Sequence, residues 1–370
     1  MNILVTGAKG FIGKNVIAEF SKLDNYFLFE YDLENNIDEL QKFINDSDFI
    51  IHLAGVNRPK DSKEFLEGNL GFTDQVIECV KNTERNIPVL MTSSIQATKN
   101  NDYGKSKKAA EDALLAFNKE TGNKIFVYRL PNVFGKWCKP NYNSAVATFC
   151  YNITHNLPIQ VNNPGYLLPL VYIDDILEEI SNAINNESNL KEDGFCYVPV
   201  TNQIRLQDLA DMLYRFKENR NDKMVPLMSN DLEKKMYSTF ISYYDPKEFS
   251  YELKMNVDHR GSFTEFLKTV DYGQVSVNIS KPGITKGNHW HHTKNEKFLV
   301  VYGQASIKFR KIDEEKVYEY ITAGDKLEVV DIPPGYTHNI TTISETDSVT
   351  IMWANELFDK DNPDTFYLEV

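Results

Sequence analysis

NILVTGAKGFIG, residues 2–13, runs a short apolar strand into Gly7, Gly10 and Gly13 and then into the start of a helix. Glycines at this spacing permit a tight turn and let backbone N–H groups approach a pyrophosphate at the helix N-terminus. The motif opens the first strand–helix unit of the chain. Asp32 follows Gly13 by 19 residues and ends the second strand, where an adenosine ribose would lie. The candidate cofactor contacts are therefore Gly7, Lys9, Gly10, Phe11, Ile12, Gly13 and Asp32, with Leu53, Ala54 and Arg58 after the third strand.

Working outward, the spacing predicts strands at 2–7, 26–32, 48–55, 87–94 and 124–130, with amphipathic helical stretches between them. β-Branched strands alternating with helices of this length predict a doubly wound, Rossmann-type parallel sheet, which binds ligands at the carboxyl ends of its strands. From about residue 244 the texture changes. Short strands such as GQVSVNIS, KFLVVYG, QASIKFRK and DSVTIMWA follow at close intervals with no helix between them, which predicts an antiparallel sandwich or barrel. The expected domains are 1–243 and 244–370.

At 370 residues two hydrophobic cores are the prior. The net charge of −13 argues against a nucleic-acid partner, which needs a basic face. No apolar run reaches the roughly 20 residues of a membrane span, and the N-terminus lacks a basic leader pattern. Cys79, Cys138, Cys150 and Cys196 form no CxxC and read as buried free thiols of a reducing compartment. The expectation is a soluble, cytoplasmic protein.

Tyr103-Gly-Lys-Ser-Lys107 places a phenol and an ammonium at i and i+4, on one helix face. A free tyrosine, with a pKa near 10, exchanges protons poorly at neutral pH. A neighbouring cation stabilises the phenolate, so the expectation is a lowered Tyr103 pKa and a useful acid for a carbonyl oxygen receiving hydride. Ser94 or Ser93, at the preceding strand end, can hydrogen-bond the same oxygen.

A second constellation lies in GNHWHHTKNE, residues 287–296. His289 and His291, at i and i+2, share a strand face. Glu296 on the next strand and His338 on a later one complete a set of three imidazoles and a carboxylate, suited to Zn²⁺ or another first-row divalent ion. His292 points the other way and reads as a bystander. The chain has seven histidines, and four fall in these two motifs.

The first constellation resembles the extended short-chain dehydrogenase/reductases that act on nucleotide sugars. DFIIHLAG is similar to that family's DxxxHxA segment, YRLPNVFG to its RxxNxxG segment and VYIDDI to a later strand end. The resemblance implies substrate contacts near Arg129 and Asn132. One departure stands out: eight residues separate Ser94 from Tyr103, where the family often has about two dozen. The coenzyme stays open. Asp32 favours a free 2′-hydroxyl, whereas Lys9 and Arg58 could meet a 2′-phosphate; NADPH is the expectation because a biosynthetic reduction uses it, with NADH the alternative.

The second half is similar to the cupins (jelly-roll proteins) in both histidine motifs, and DHRGSFTE, QVSVN and GITKGNHW resemble the RmlC-type nucleotide-sugar 3,5-epimerases. That likeness implies nucleotide contacts at Arg260 and Glu265, a base at His289 and a further catalytic residue at Lys297. The two families assign His289 different work, since a metal ligand cannot take a proton on its coordinating nitrogen.

A 4-keto sugar nucleotide joins the two halves: its C3 and C5 protons are acidic and its C4 is reducible, so epimerisation must precede reduction. The pairing resembles the bifunctional capsule-biosynthesis enzymes of bacteria. This resemblance implies a homodimer with a zinc-bearing cupin. The implied substrate is a UDP-linked 4-keto-6-deoxy-N-acetylhexosamine, epimerised at C3 and then reduced at C4 to UDP-N-acetyl-6-deoxy-L-talosamine, on the route to UDP-N-acetyl-L-fucosamine. Two alternatives stay open: a cupin that only binds or regulates, and an oxygen-using iron centre.

Overall fold

A computed structural model describes residues 1–59, 61–253, 256–258, 261–263, 268–269, 273–356 and 361–370. The chain divides into two compact units, residues 1–145 with 167–204, and residues 146–166 with 205–370.

The first unit is built on five parallel strands: β1 (Asn2–Thr6), β2 (Phe27–Tyr31), β3 (Phe49–His52), β4 (Val89–Ser94) and β5 (Ile125–Leu130). Their order is β2-β1-β3-β4-β5, so the winding reverses between β1 and β3 and opens a crevice at the carboxyl ends of those strands. The helices are α1 (Phe11–Phe20), α2 (Ile37–Asp46), the single turn α3 (Lys63–Leu66), α4 (Phe72–Lys81) and α5 (Asp102–Thr121). Strand alternation sorts the sheet's side chains onto two faces. Ile3, Val5, Phe49 and Ile51 pack with Val16 and Phe20 of α1 and with the helix Ile173–Ile184. Leu4, Ile50, Val89 and Met91 pack with α2, α4 and α5 through Leu40, Val76 and Leu114. Both faces are therefore covered, as a parallel sheet requires.

The second unit carries two five-stranded antiparallel sheets. One runs Ser250–Glu252, Glu328–Ile332, Glu296–Tyr302, Ser348–Ala354, Gln274–Ser280; the other runs Val317–Ala323, Gln304–Lys311, Tyr336–Thr342, Thr285–Trp290, Phe366–Tyr367. Phe298 of the first sheet and Phe309 of the second both lie against His338, so the inner faces meet around that histidine. The doubly wound sheet followed by an all-β sandwich is the fold class expected from the strand pattern. The helices Leu206–Asp222 and Asp231–Ile241 belong to this unit. Arg220 fastens the first of them to the sheets: it bonds Asp331 at 2.8 Å and the Glu248 carbonyl at 2.6 Å, and stacks 3.6 Å over Tyr244.

All four cysteines are buried and outside any disulfide. Among the described residues no helix is long and apolar enough to cross a membrane.

Candidate active and metal sites

The glycine turn sits at the β1–β3 crevice. Gly7 has a φ of +68°, and a Cβ there would lie 2.8 Å from the backbone nitrogen of Ala54. At Gly13 a Cβ would come within 2.2 Å of the Gly7 carbonyl oxygen. Neither position has room for a side chain, so the turn stays flush with the start of α1. No side chain caps α1 and its first turn carries no acidic residue, which leaves its N-terminal N–H groups and dipole for an anion. Leu53 and Ala54 close the other wall. The Asp32 carboxylate accepts from the backbone N–H groups of Lys9 (2.7 Å) and Leu33 (2.8 Å). The two cations weighed for a 2′-phosphate are engaged elsewhere, Lys9 with Glu34 and Arg58 with the Asn141 carbonyl.

Under this wall lies His52 of the DxxxHxA segment. Thr73 donates to the Asn69 carbonyl (2.7 Å), so its oxygen must accept from His52 Nε2–H (3.0 Å). His52 Nδ1 then accepts from Thr6 (2.8 Å), whose oxygen accepts the Ala54 N–H (3.3 Å). Burial first, and the charge of Lys107 second, push this imidazole down to about 3. His52 is thus a neutral tie between β1, β3 and α4.

Tyr103, Lys107 and Glu111 lie one turn apart along α5. The short link from Ser94 is a single 3-10 turn, Ile95–Thr98, packed so tightly on α5 that a Cβ at Gly104 would meet the Gln96 carbonyl at 2.3 Å. That closeness brings Ser94, not Ser93, into hydrogen bonding with the Tyr103 phenol. Ser93 donates instead to Glu111 at 2.6 Å.

The expectation of a lowered Tyr103 pKa is corrected: burial raises it, and the Ser94 hydrogen bond only partly offsets this. Lys107 is itself buried, 3.4 Å from the Thr92 carbonyl, and burial lowers it to about 8 against the opposing charge of Glu111. Glu111, fully buried, is held by Arg129 through two bonds of 2.9 and 2.6 Å. Arg129 also lies 3.7 Å over the Phe195 ring. The structure therefore binds Arg129 to a carboxylate of its own unit, and Asn132 to the Pro169 carbonyl at 3.0 Å. Arg260 and Glu265 lie outside the described residues.

In the second unit His289, His291, Glu296 and His338 converge, with one donor atom from each inside a 4.8 Å span. Each imidazole turns one nitrogen to a backbone carbonyl: His289 to Gly287, His291 to Asp364 and His338 to Tyr336. The nitrogen that donates carries the proton, so the other presents a lone pair. Nε2 of His291 and of His338 each stand 3.4 Å from Glu296 Oε2, and all three atoms are buried without a hydrogen-bond partner. Lone pairs facing a carboxylate oxygen repel unless a cation lies between them. The donor set and its carbonyl-anchored imidazoles therefore fit a divalent metal ion. His289 is pushed down to about 4 by burial, then by His338 and His291, which keeps it neutral and able to ligate. His292 stays out of the cluster, packed against Trp290 and Phe366.

Lys297 requires a correction. It follows Glu296 on the same strand, so alternation turns it to the opposite sheet face. There it is paired across the strands with Asp331, bonded to that carboxylate at 2.6 Å and to the Tyr251 hydroxyl at 3.1 Å. Burial would lower it, but Asp331 outweighs burial and holds it well above the ordinary lysine value. A catalytic partnership with His289 does not survive this placement. Two residues central to the sites escaped the sequence reading. Glu111 had a signal, since it sits four and eight residues after Lys107 and Tyr103. Asp364 had none.

Residues 3–195 match the NAD dependent epimerase/dehydratase family and residues 256–366 the polysaccharide biosynthesis C-terminal domain. The chain is 44% identical to UDP-2-acetamido-2,6-beta-L-arabino-hexul-4-ose reductase of Pseudomonas aeruginosa, across 100% of this chain and 99% of that protein. It is similar to the crystal structure of the capsular polysaccharide assembling protein CapF from Staphylococcus aureus, with 52% identity, full coverage of both chains and a TM-score of 0.69. UDP-glucuronic acid 4-epimerase of Bacillus cereus shares the fold over 59% of this chain and 84% of its own, at 20% identity and a TM-score of 0.53. The two full-length relatives and the two family matches together show that the chain belongs to the CapF family of NAD-dependent epimerase/dehydratase proteins with a polysaccharide-biosynthesis C-terminal domain.

Proposed function

We propose that the chain is a bifunctional nucleotide-sugar enzyme of capsular polysaccharide synthesis. Its reductase, assigned to residues 1–243, acts on the C4 ketone of a UDP-linked 4-keto-6-deoxy-N-acetylhexosamine. Its cupin, assigned to residues 244–370, first epimerises that sugar at C3. The product is UDP-N-acetyl-6-deoxy-L-talosamine, on the route to UDP-N-acetyl-L-fucosamine, and the working form is a cytoplasmic homodimer. The observation that carries this reading is the Ser94–Tyr103 hydrogen bond beside buried Lys107, in a chain whose full-length relative is a hexul-4-ose reductase.

The nicotinamide coenzyme, NADPH in this reading, supplies hydride when bound in the crevice of Gly7, Gly10 and Gly13. As C4 accepts hydride, the Tyr103 phenol gives its proton to the C4 oxygen, and the Ser94 hydroxyl holds that oxygen in line. Lys107, as a cation, favours the phenolate that remains. In the second unit His289, His291, Glu296 and His338 would hold a divalent metal, Zn²⁺ in this reading, which would supply positive charge to the sugar carbonyl. Epimerisation exchanges the C3 proton with solvent: one proton leaves to water on one face and another arrives from water on the opposite face. Reduction removes the ketone that this step needs, so it comes second.

A second reading, in which the cupin only binds the sugar nucleotide, is favoured by the turning away of Lys297 and by the commitment of His289 to the metal set. Incubation with the 4-keto substrate in D₂O, without coenzyme, separates the two. Deuterium entering at C3, lost in His338→Ala and retained in Tyr103→Phe, is the expected result. No exchange, with normal coenzyme oxidation once NADPH is added, would leave a reductase with a binding module.

A further inference from the structure

We infer that Asp364, which is outside the ligand set, is the positioning residue of the metal centre, fixing both His291 and the chain between His291 and Glu296. The inference rests on the metal reading above.

Asp364 reaches the loop through two groups. Its backbone carbonyl accepts the Nδ1–H of His291, which leaves Nε2 to face Glu296 with its lone pair. Its carboxylate accepts three successive backbone N–H groups: His292 at 2.8 Å, Thr293 at 2.8 Å and Lys294 at 2.6 Å. The Thr293 hydroxyl adds a bond of 3.0 Å. Every residue from His291 to Lys294 is thus tied to this one aspartate. Consecutive N–H groups converging on one anion form a concave nest, and charge-assisted bonds of this kind are stronger than neutral ones.

Beyond Lys294 a different clamp takes over. Asn295 donates its N–H to the Asn355 side chain (3.1 Å) and accepts the Asn355 N–H (3.1 Å), immediately before Glu296. The turn that separates two ligands therefore has no residue whose path is left to itself. The segment bearing Asp364 is docked in turn: Lys294 Nζ donates to Thr365 (2.9 Å), Phe366 packs on Trp290 and His292, and Tyr367 pairs with His289 across two strands. The C-terminal segment touches the ligand loop from both sides while contributing no ligand.

Two consequences follow. Loss of the carboxylate frees the loop, so the ligands must be ordered by the metal itself, and affinity drops by about 10- to 100-fold, the range for lost outer-shell partners. By reciprocity, a metal that needs the docked segment also stabilises it.

The test uses the full-length protein and its Asp364→Ala and Asp364→Asn variants, each titrated with Zn²⁺ against a chromophoric chelator and with Co²⁺ by visible absorption. The expected result is weakened Zn²⁺ binding, larger for Ala than for Asn, which keeps one acceptor oxygen. The Co²⁺ bands should change with it, because the loop that joins His291 to Glu296 is no longer held, although the Asp364 carbonyl that accepts from His291 remains in both variants. Chelation of the parent should speed amide exchange in 291–294 and 361–370 together. Zinc affinity within twofold of the parent, or an unchanged Co²⁺ spectrum, in a folded variant overturns the inference. If the Ala variant does not fold, the Asn variant decides by the same criteria. A parent that binds neither ion defeats the metal reading itself, a result distinct from a parent that binds and variants that bind equally well.

Discussion

The two units bury charge in opposite ways. Along α5 the buried groups are already partnered: Lys107 lies beside Glu111, Glu111 is held by Arg129 and Ser93, and Arg129 rests on Phe195. In the all-β unit, His291, His338 and Glu296 turn buried atoms toward one another with no partner between them. Removing charge from water is costly, and interiors normally satisfy what they bury. The first arrangement is complete without a guest at its charges, and its cofactor surface is laid down by backbone at Gly7 and the start of α1. The second turns donor atoms toward one another in the way a cation would satisfy. The two sites thus carry different marks: close backbone approach in one case, unsatisfied side-chain atoms in the other.

If this contrast is right, the two sites can be broken separately. The largest effect is expected at Tyr103. Tyr103→Phe removes the proton that the C4 oxygen needs, and general-acid catalysis contributes about 10²- to 10⁴-fold. Turnover with NADPH and the 4-keto substrate should fall by that range, while metal content, measured on the same preparation, stays level. A loss under tenfold would mean that the phenol is not the acid, and that α5 is no more than a well-satisfied helix.

How much of this was legible differs by site, for physical reasons. The parallel sheet could be read because both its faces are covered, so its strands are near-continuous apolar runs, and because Gly7 and Gly13 have no room for a Cβ. The metal set could be read from the spacing of His289 and His291, although the strand ends at Trp290 and His291 reaches the cluster from just beyond it. Strand alternation, applied to Glu296 and Lys297, separates them, and there the family likeness pointed to the wrong partner. The direction of the Tyr103 pKa was misjudged because spacing reveals a neighbour and not the depth of burial, which dominates. Glu111 was within reach of helical periodicity, whereas the pairing of Arg129 with it depends on β5 lying beside β4. Asp364 acts across 73 residues on His291, and a lone aspartate near a chain end carries no pattern.

An intermediate effect is expected from removing the metal. A ligand at a thousandfold excess over its Kd stabilises the folded state by about 4 kcal/mol, and here that energy belongs to one unit. Chelation of the full-length protein should speed amide exchange in Thr285–Trp290, Glu296–Tyr302 and Tyr336–Thr342, with β1, β3 and β4 unmoved. Equal acceleration in both units would show that the first also depends on the cation and would dissolve the contrast. No change in either would mean that the imidazole–carboxylate cluster is stable without a metal.

The smallest effect tests whether the paired charges along α5 tune the chemistry or merely coexist. Lys107 titrates at about 8, against an ordinary 10.5, because burial disfavours its charged form. Between these values the unfolded chain binds more protons than the folded one. Folding stability therefore rises with pH across about 8 to 10.5, and the penalty of the buried ammonium is fully present below 8. Activity runs the other way: the cation must be present, so turnover should decline as pH passes about 8. Glu111 is the group that raises Lys107, so Glu111→Gln, which keeps an acceptor for Ser93 and Arg129, should move this alkaline limb to lower pH. The expected displacement is about one pH unit or less, at most about 1.4 kcal/mol. At pH 7 the variant should therefore keep roughly half or more of the parent's turnover. A pH–rate profile of turnover checks it against the parent. An unmoved limb with intact folding would mean that Glu111 serves only to neutralise Arg129, and that the pairing along α5 is structural rather than catalytic.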